Sequence, residues 1–250
     1  MEKPAGISQI EAKQKIEIEF WRDSNDESPE ADSLNNIVNK VSDAGVFLDC
    51  INRHRSILKD NGRVLELGGG QCWASCVYKK LFPNAHVTAT DISRYAIMSL
   101  HKWERLFQVD IDNSYACTSY EINERDTSLD LIFCFSAAHH FLAHKRTLRE
   151  ISRVLKPGGR ALYLHEPATP SYLYSIAHWR VNKKRPQVPE DVLITSQLRV
   201  IGVYFEVDYY PSLMKRGPLE TVYFSVLSRL PILQRILPCT INFIFSKKSS

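Results

Sequence analysis

The sequence predicts an α/β fold of three layers, a mostly parallel sheet between helices, with a helical N-terminal extension and a C-terminal cap insertion. Short apolar runs at Val64–Leu67, His86–Thr90, Asp130–Ser136 and Ala161–Leu164 alternate with stretches of helical spacing, the mark of βαβ units. Glycines follow the first run at once, in Glu66-Leu67-Gly68-Gly69-Gly70, and Pro83-Asn84 and Pro157-Gly158-Gly159 punctuate the pattern. At 250 residues and 44% hydrophobic composition the chain buries a large core, so a single domain is expected. Its parts are a helical lid (1–60), a ligand-binding core (61–167) and a C-terminal part that sets specificity (168–250).

In order, Ile7–Phe20 reads as a helix and Asp23–Asp32, acidic with Pro29, as a loop. Ser33 can cap a second helix, whose apolar positions from Leu34 to Leu58 recur at helical spacing as far as Asn61-Gly62. After the strand Val64–Leu67 come a helix (Ser75–Phe82), a strand (His86–Thr90) closed by Asp91, and a helix (Tyr95–Phe107). Tyr115–Tyr120 reads as a short strand, Asp130–Ser136 as a buried one, and His144–Leu155 as a helix stopped by Pro157-Gly158-Gly159 before the strand Ala161–Leu164. Beyond Pro167 we expect a helix (Ser171–Trp179), a basic loop (Arg180–Glu190), a helix (Asp191–Val200) and a strand (Phe205–Tyr209). A helix broken at Pro231 (Leu219–Leu237) and a last strand (Thr240–Phe245) complete the chain.

Composition excludes several classes. A formal charge of +4 falls short of the balance expected of a protein built to grip nucleic acid. The polar N-terminus has no apolar core behind it, so no secretory signal is expected, and Arg229, Pro231, Arg235 and Pro238 interrupt the most apolar region. The six cysteines are scattered without a C-x-x-C pair, as in a cytoplasmic protein with reduced thiols, and no metal-ligand spacing appears.

A strand, a glycine turn and a helix start make a nucleotide-type site, because glycine admits a ligand close to the backbone and the helix N–H groups face it. A dinucleotide fingerprint needs a small residue where Trp73 stands, which disfavours a nicotinamide cofactor.

Glu66-Leu67-Gly68-Gly69-Gly70 resembles the E-x-G-x-G signature of class I S-adenosylmethionine-dependent methyltransferases. Four further matches follow in the right order: Asp91 closing the second strand, the segment Cys117–Asp130, Ala138-His139-His140-Phe141 after the fourth strand, and Leu155-Lys156-Pro157-Gly158-Gly159-Arg160 before the fifth. The resemblance covers residues 60 to 167. It implies a Rossmann-like seven-stranded sheet with an antiparallel last strand, S-adenosylmethionine as methyl donor and S-adenosylhomocysteine as product; no metal is expected, because the sequence offers no set of acids for a catechol-type magnesium site.

By that resemblance Glu66 and Gly68, Gly69 and Gly70 hold the methionine end, Asp91 the ribose hydroxyls, Ile92 the adenine, and Ser136 the methionine chain. Thr118 stands where many relatives carry an acid for the adenine amino group, so Thr118 or Ser119 would replace it. His139 and His140, at the carboxyl edge of the sheet, are the candidate catalytic bases, His140 slightly preferred, because a hydroxyl acceptor must lose its proton. His165-Glu166 is a second pair on that edge.

The acceptor must be read from outside the shared core. His165, Trp179 and Arg180 are the substrate candidates: the cations from Arg180 to Arg185, with Lys215 and Arg216, would attract an anionic acceptor such as a nucleotide sugar, and Trp179 would stack on a ring. Phe20-Trp21-Arg22 would close as a lid. The flanking stretches resemble a bacterial methyltransferase subgroup of glycan and secondary-metabolite biosynthesis. The expected function is therefore methyl transfer, at oxygen, to a small molecule or sugar. The alternatives are a nucleic-acid methyltransferase and a non-catalytic S-adenosylmethionine binder.

Overall fold

The computed structural model describes residues 5–29, 31, 33–58, 60–184, 192–194, 198, 203–211 and 217–247. Strands β1 (Arg63–Leu67), β2 (His86–Asp91), β3 (Asn113–Ala116), β4 (Leu129–Phe135), β5 (Leu155–Thr169), β7 (Val203–Tyr209) and β8 (Cys239–Lys247) lie in the order β3-β2-β1-β4-β5-β8-β7. All pairings from β3 to β5 are parallel, and β8 runs antiparallel to both its neighbours. A short strand β6 (Leu193–Ile194) adds itself to the end of β5 at Ala168 and Thr169.

Helices α1 (Ala5–Asp23) and α2 (Leu34–Arg53) precede the sheet; α3 (Trp73–Leu81), α4 (Arg94–Met98), α5 (Leu100–Phe107) and α6 (His144–Val154) connect its strands. The helices α7 (Tyr174–Lys184), α8 (Pro218–Arg229) and α9 (Pro231–Gln234) follow β5. Alternate residues of the central strands feed two cores, as a sheet covered on both faces requires. On one face Val64, Leu131, Phe133 and Leu164 pack with Phe47 of α2 and Tyr78 of α3. On the other Leu65, Ile132, Tyr163 and Phe243 pack with Leu148 of α6 and Phe224 of α8.

Six expectations need correction. The helix expected over Tyr95–Phe107 is two, because the chain tightens at Ser99, whose N–H bonds the Ala96 carbonyl three residues back. The third strand ends at Ala116, and Thr118 pairs back on Glu121 in a tight turn. The fifth strand begins at Leu155 instead of Ala161. Gly158 takes φ +74°, so the Pro157-Gly158-Gly159 stretch kinks within the strand, where the register with β4 shifts, and does not end it. The second helix stops at Arg53, short of Asn61-Gly62.

Arg180–Lys184 belong to α7 and not to a loop, while 185–190 lie outside the described residues. Of the helix expected over Asp191–Val200, the buried Val192 and Leu193 lead an added strand, β6, since a short apolar run can pair with the end of β5. The rest of that stretch, apart from Leu198, and the Lys215 and Arg216 cluster lie outside the described residues. Ser33 does cap α2, its hydroxyl accepting from the Asn36 N–H at 3.1 Å.

A buried polar knot fastens the N-terminal helices to the C-terminal strands. Asn242 of β8 accepts the His165 N–H at 2.9 Å and faces the Cys50 thiol, its amide nitrogen donates to Asp208 at 3.2 Å, and it lies 3.2 Å from His54 Nε2. Asn242→Ala leaves several of these groups buried without a partner, and urea unfolding should show a loss of about 1–3 kcal/mol; a variant as stable as the parent would show that the knot does not fasten the two ends.

Candidate active site

The glycine turn closes β1 under tight steric limits. Gly68 and Gly70 sit at φ +70° and +54°, the left-handed region that a Cβ disfavours. A Cβ on Gly68 would come within 3.1 Å of the Phe141 ring, and one on Gly70 within 2.9 Å of the Trp21 indole. The turn is thus held between helix α1 and the segment after β4. Gly69 N–H donates to the Thr90 carbonyl at 2.8 Å, and Gly70 N–H donates to Asp91 Oδ2 at 2.8 Å. The other oxygen of Asp91 takes the Ser93 N–H at 2.8 Å. Asp91 is buried, and burial pushes its carboxyl from 3.8 up to about 6, against the N–H groups of Ser93, Gly70 and Ile92.

Glu66 lies behind this turn and does not line the cavity. Its carboxylate accepts the Ser75 N–H at 3.1 Å and the Ser75 hydroxyl at 2.5 Å, on the first turn of α3. Burial pushes it from 4.5 up to about 7, against the two Ser75 bonds and with help from the Asp91 charge.

After β4 a single 3-10 turn carries Ala138, His139 and His140. A buried carboxylate from the next strand holds it. Glu166 of β5 takes the N–H groups of Ala137 at 2.9 Å, Ala138 at 2.8 Å and His139 at 3.3 Å, and the His139 Nδ1–H at 2.9 Å. Burial would raise the Glu166 carboxyl, yet the His139 bond and charge and the Ala138 and Ala137 N–H groups together hold it below its usual range. Its ionised form assigns the proton of His139 to Nδ1 and leaves Nε2 as the nitrogen on the far side of the ring. The His140 ring lies 4.2 Å from that of His139, tilted by 41°, and 3.8 Å from Glu17 of α1.

A β-bulge puts Glu166 there. Tyr163 pairs with Phe243 and Glu166 with Ile241, so β5 has one residue more than β8 in this interval, and His165 takes φ +57°. Without that extra residue the alternation from Tyr163 would aim Glu166 at the opposite face.

Among the described residues a cavity of ≈ 490 Å³ opens at the carboxyl ends of β1, β2 and β4, within the range that small-molecule ligands need. Gly68, Gly69, Gly70, Asp91, Ile92, Ser119, Ser136, His139 and His140 line it. So do Lys13, Gln14, Glu17, Phe20 and Trp21 of α1, which places Phe20 and Trp21 beside the glycine turn. Its charged lining comprises Glu17, Glu27, Asp43 and Asp91 against Lys13 and Lys40, so the wall favours a cation over an anion. Thr118 does not line it, although its hydroxyl oxygen is buried without a partner among the described residues beside Cys117 and Ser119, which do.

None of the three substrate candidates lines this cavity. His165, as the bulge residue, turns to the other face of the sheet, stacks on Phe135 and lies 2.9 Å from the Tyr210 hydroxyl. Trp179 is 62% exposed on α7, with Lys183 over its ring, and Arg180 bonds Glu220 of α8. Sequence reasoning missed Glu166 as the partner of His139, and Gln71, whose amide nitrogen donates to Glu27 and whose oxygen accepts from the Trp103 indole at 3.1 Å. Gln71 directly follows the glycines, which was the one available signal. No group of three or more His, Cys, Asp or Glu suited to a metal occurs among the described residues.

Residues 65–163 match the family described as methyltransferase domain. No curated protein sequence matches the chain. Among solved structures, geranyl diphosphate C-methyltransferase from Streptomyces coelicolor, in complex with Mg2+, geranyl diphosphate and S-adenosyl-L-homocysteine, superposes with a TM-score of 0.65 at 11% identity, covering 94% of this chain and 98% of that one. The YcgJ protein from Bacillus subtilis gives 0.56 at 18% identity over 84% and 100%. Phosphoethanolamine N-methyltransferase 2 of Haemonchus contortus, with phosphomonomethylethanolamine and S-adenosylhomocysteine, gives 0.56 at 17% over 82% and 52%.

The buried carboxyls make the ligand-free site sensitive to pH. Glu66 and Asp91 hold their protons more tightly folded than unfolded, so their contribution to stability is complete below the ordinary values of 4.5 and 3.8 and is lost as pH rises through about 7 and about 6. Glu166, held below 4.5, acts in the opposite sense and only at the acid end, where its unfolded form still titrates, so the upper part of the window belongs to Glu66 and Asp91. Urea midpoints of the ligand-free protein should fall as pH rises through this window, and Glu66→Gln should flatten the upper part. An unchanged slope in that variant would mean that Glu66 does not titrate there.

Proposed function

Residues 65–163 belong to the methyltransferase-domain family, and on that premise we propose that the chain transfers a methyl group from S-adenosylmethionine to a hydroxyl of a small molecule or sugar. The observation that carries the choice of oxygen is the His139–Glu166 pair, an imidazole facing the cavity with a buried carboxylate behind it.

The residues suit the donor. Gly68 and Gly70 keep side chains out of the turn, Asp91 presents a buried carboxylate for ribose hydroxyls, and the excess of acids over lysines fits a sulfonium cation. Bound there, S-adenosylmethionine supplies an activated methyl group. Ile92 and Ser136 would flank it, and Ser119, with Thr118 behind, would meet the adenine side. The work left to the chain is to orient the acceptor, exclude water and take one proton.

His139 is the better placed of the two histidines for that proton. Its Nδ1–H is committed to Glu166, so Nε2 is the nitrogen that receives the acceptor's proton, and Glu166 stabilises the imidazolium that results. His140, beside Glu17, would orient the acceptor under the lid. Residues 1–60 and 168–250 would work with the core as a single unit, in glycan or secondary-metabolite biosynthesis. All six cysteines are free thiols, five of them buried, which suits the cytoplasm. The acid-lined cavity speaks against a polyanion such as nucleic acid.

Calorimetry should show S-adenosylhomocysteine binding that Asp91→Ala abolishes; binding unchanged by that substitution would remove the donor assignment. Incubation with labelled S-adenosylmethionine and fractionated extract of the source cell should identify the acceptor pool. With that pool, His139→Ala should slow labelling roughly 10²–10⁴-fold while leaving S-adenosylhomocysteine affinity unchanged. Glu166→Gln should slow it less and displace the pH profile. Parental rates in His139→Ala would sink the base assignment.

A further inference from the structure

The C-terminal cap carries a surface that the cavity does not use. Nine of the sixteen large apolar side chains that the described residues expose lie between Tyr172 and Ile236. On α7 these include Ile176 at 65% and Trp179 at 62%, and on α8 and α9 Leu219 at 87%, Val222 at 64% and Ile232 at 67%. The two parts form one face: Tyr172, just before α7, bonds the Ile236 carbonyl beyond α9, and Arg180 of α7 bonds Glu220 of α8.

Packing does not account for these residues. Helix α8 already buries Phe224 and Leu227 against the sheet, so its outward Leu219 and Val222 make it apolar on both sides. Exposed apolar side chains clustered on one face and rimmed by polar residues mark a docking surface.

Charge selects the occupant. Residues 171–184 and 217–238 hold five Lys or Arg and one acid, Glu220, a net +4 that equals the formal charge of the whole chain. The remainder is balanced, and the one acid is paired with Arg180. Arg229 and Arg235 are exposed among the apolar residues, and Lys183 lies over the exposed Trp179 ring. Apolar side chains, a tryptophan and unbalanced cations on one face are what an anionic bilayer surface binds. No helix is long and apolar enough to cross a membrane, so the contact is interfacial.

We propose that the α7–α8–α9 face docks this chain on membranes containing anionic phospholipid. The cap follows the carboxyl end of β5, and the cavity lies at the carboxyl ends of β1, β2 and β4, so docking holds the bilayer at the edge of the sheet where the cavity opens. The proposal does not depend on the methyl-transfer chemistry.

The full chain is sedimented with vesicles of phosphatidylcholine alone and of phosphatidylcholine with phosphatidylglycerol. It should bind the anionic vesicles at least about tenfold more strongly, lose that preference in high salt, and show blue-shifted tryptophan emission when bound. Two double variants, Leu219→Glu with Ile232→Glu and Arg229→Gln with Arg235→Gln, change exposed residues. Each should reduce vesicle binding about tenfold or more with S-adenosylhomocysteine affinity and circular dichroism unchanged. Absence of vesicle binding, or equal binding by parent and variants, overturns the proposal. So does self-association, seen by light scattering and lost in the Leu219→Glu, Ile232→Glu variant without any vesicle binding, because the face would then join copies of the chain.

Discussion

The buried carboxylate of Glu166 is the interaction on which the site depends. An ionised group at 0% exposure costs several kcal/mol in lost hydration unless donors surround it. Here three backbone N–H groups and the His139 ring supply them, all from the turn that follows β4. The dependence is mutual. The turn has few hydrogen bonds of its own, so the carboxylate sets its shape, and the turn sets the charge state of the carboxylate. One consequence is the His139 tautomer; another is the seat of Phe141, whose ring packs against Gly68 and so links this turn to the glycine turn.

What the sequence made legible follows from the range of the forces involved. Glycine turn, Asp91 and the order of the parallel strands rest on period-two and helical spacing and on turn residues, all short-range signals. The role of Glu166 was not legible, because a single bulge residue, His165, decides which face it takes. Read as alternation, His165 and Glu166 made one pair on the sheet edge; the bulge sends them to opposite faces, one to Tyr210 and the other to His139. The same limit explains Trp179 and Arg180. Their composition marked them as a surface of some kind, but only the placement of α7 separates that surface from the cavity.

The lid depends on contacts at long sequence separation, which no spacing rule encodes. The Trp21 indole leaves no room for a Cβ on Gly70, and Gln71 reaches Glu27, so the α1–α2 loop is tied to the residue next to the glycines. Gln71 is itself fixed from below by Trp103 of α5. A side chain hydrogen-bonded on both ends and fully buried is a rigid post.

Charge is sorted along one edge of the sheet, and this sorting ties the cavity to the cap. The cavity gathers acids at a site suited to a cation, while the cap gathers arginines and lysines on an apolar face suited to an anionic surface. The formal charge of +4 equals that of the cap segments, and the acids of the cavity are balanced elsewhere in the chain. A protein whose cavity attracted anions would compete with its own docking face for the same partners. With the signs divided, the acid-lined cavity wall does not bind the lipid headgroups that the cap would meet.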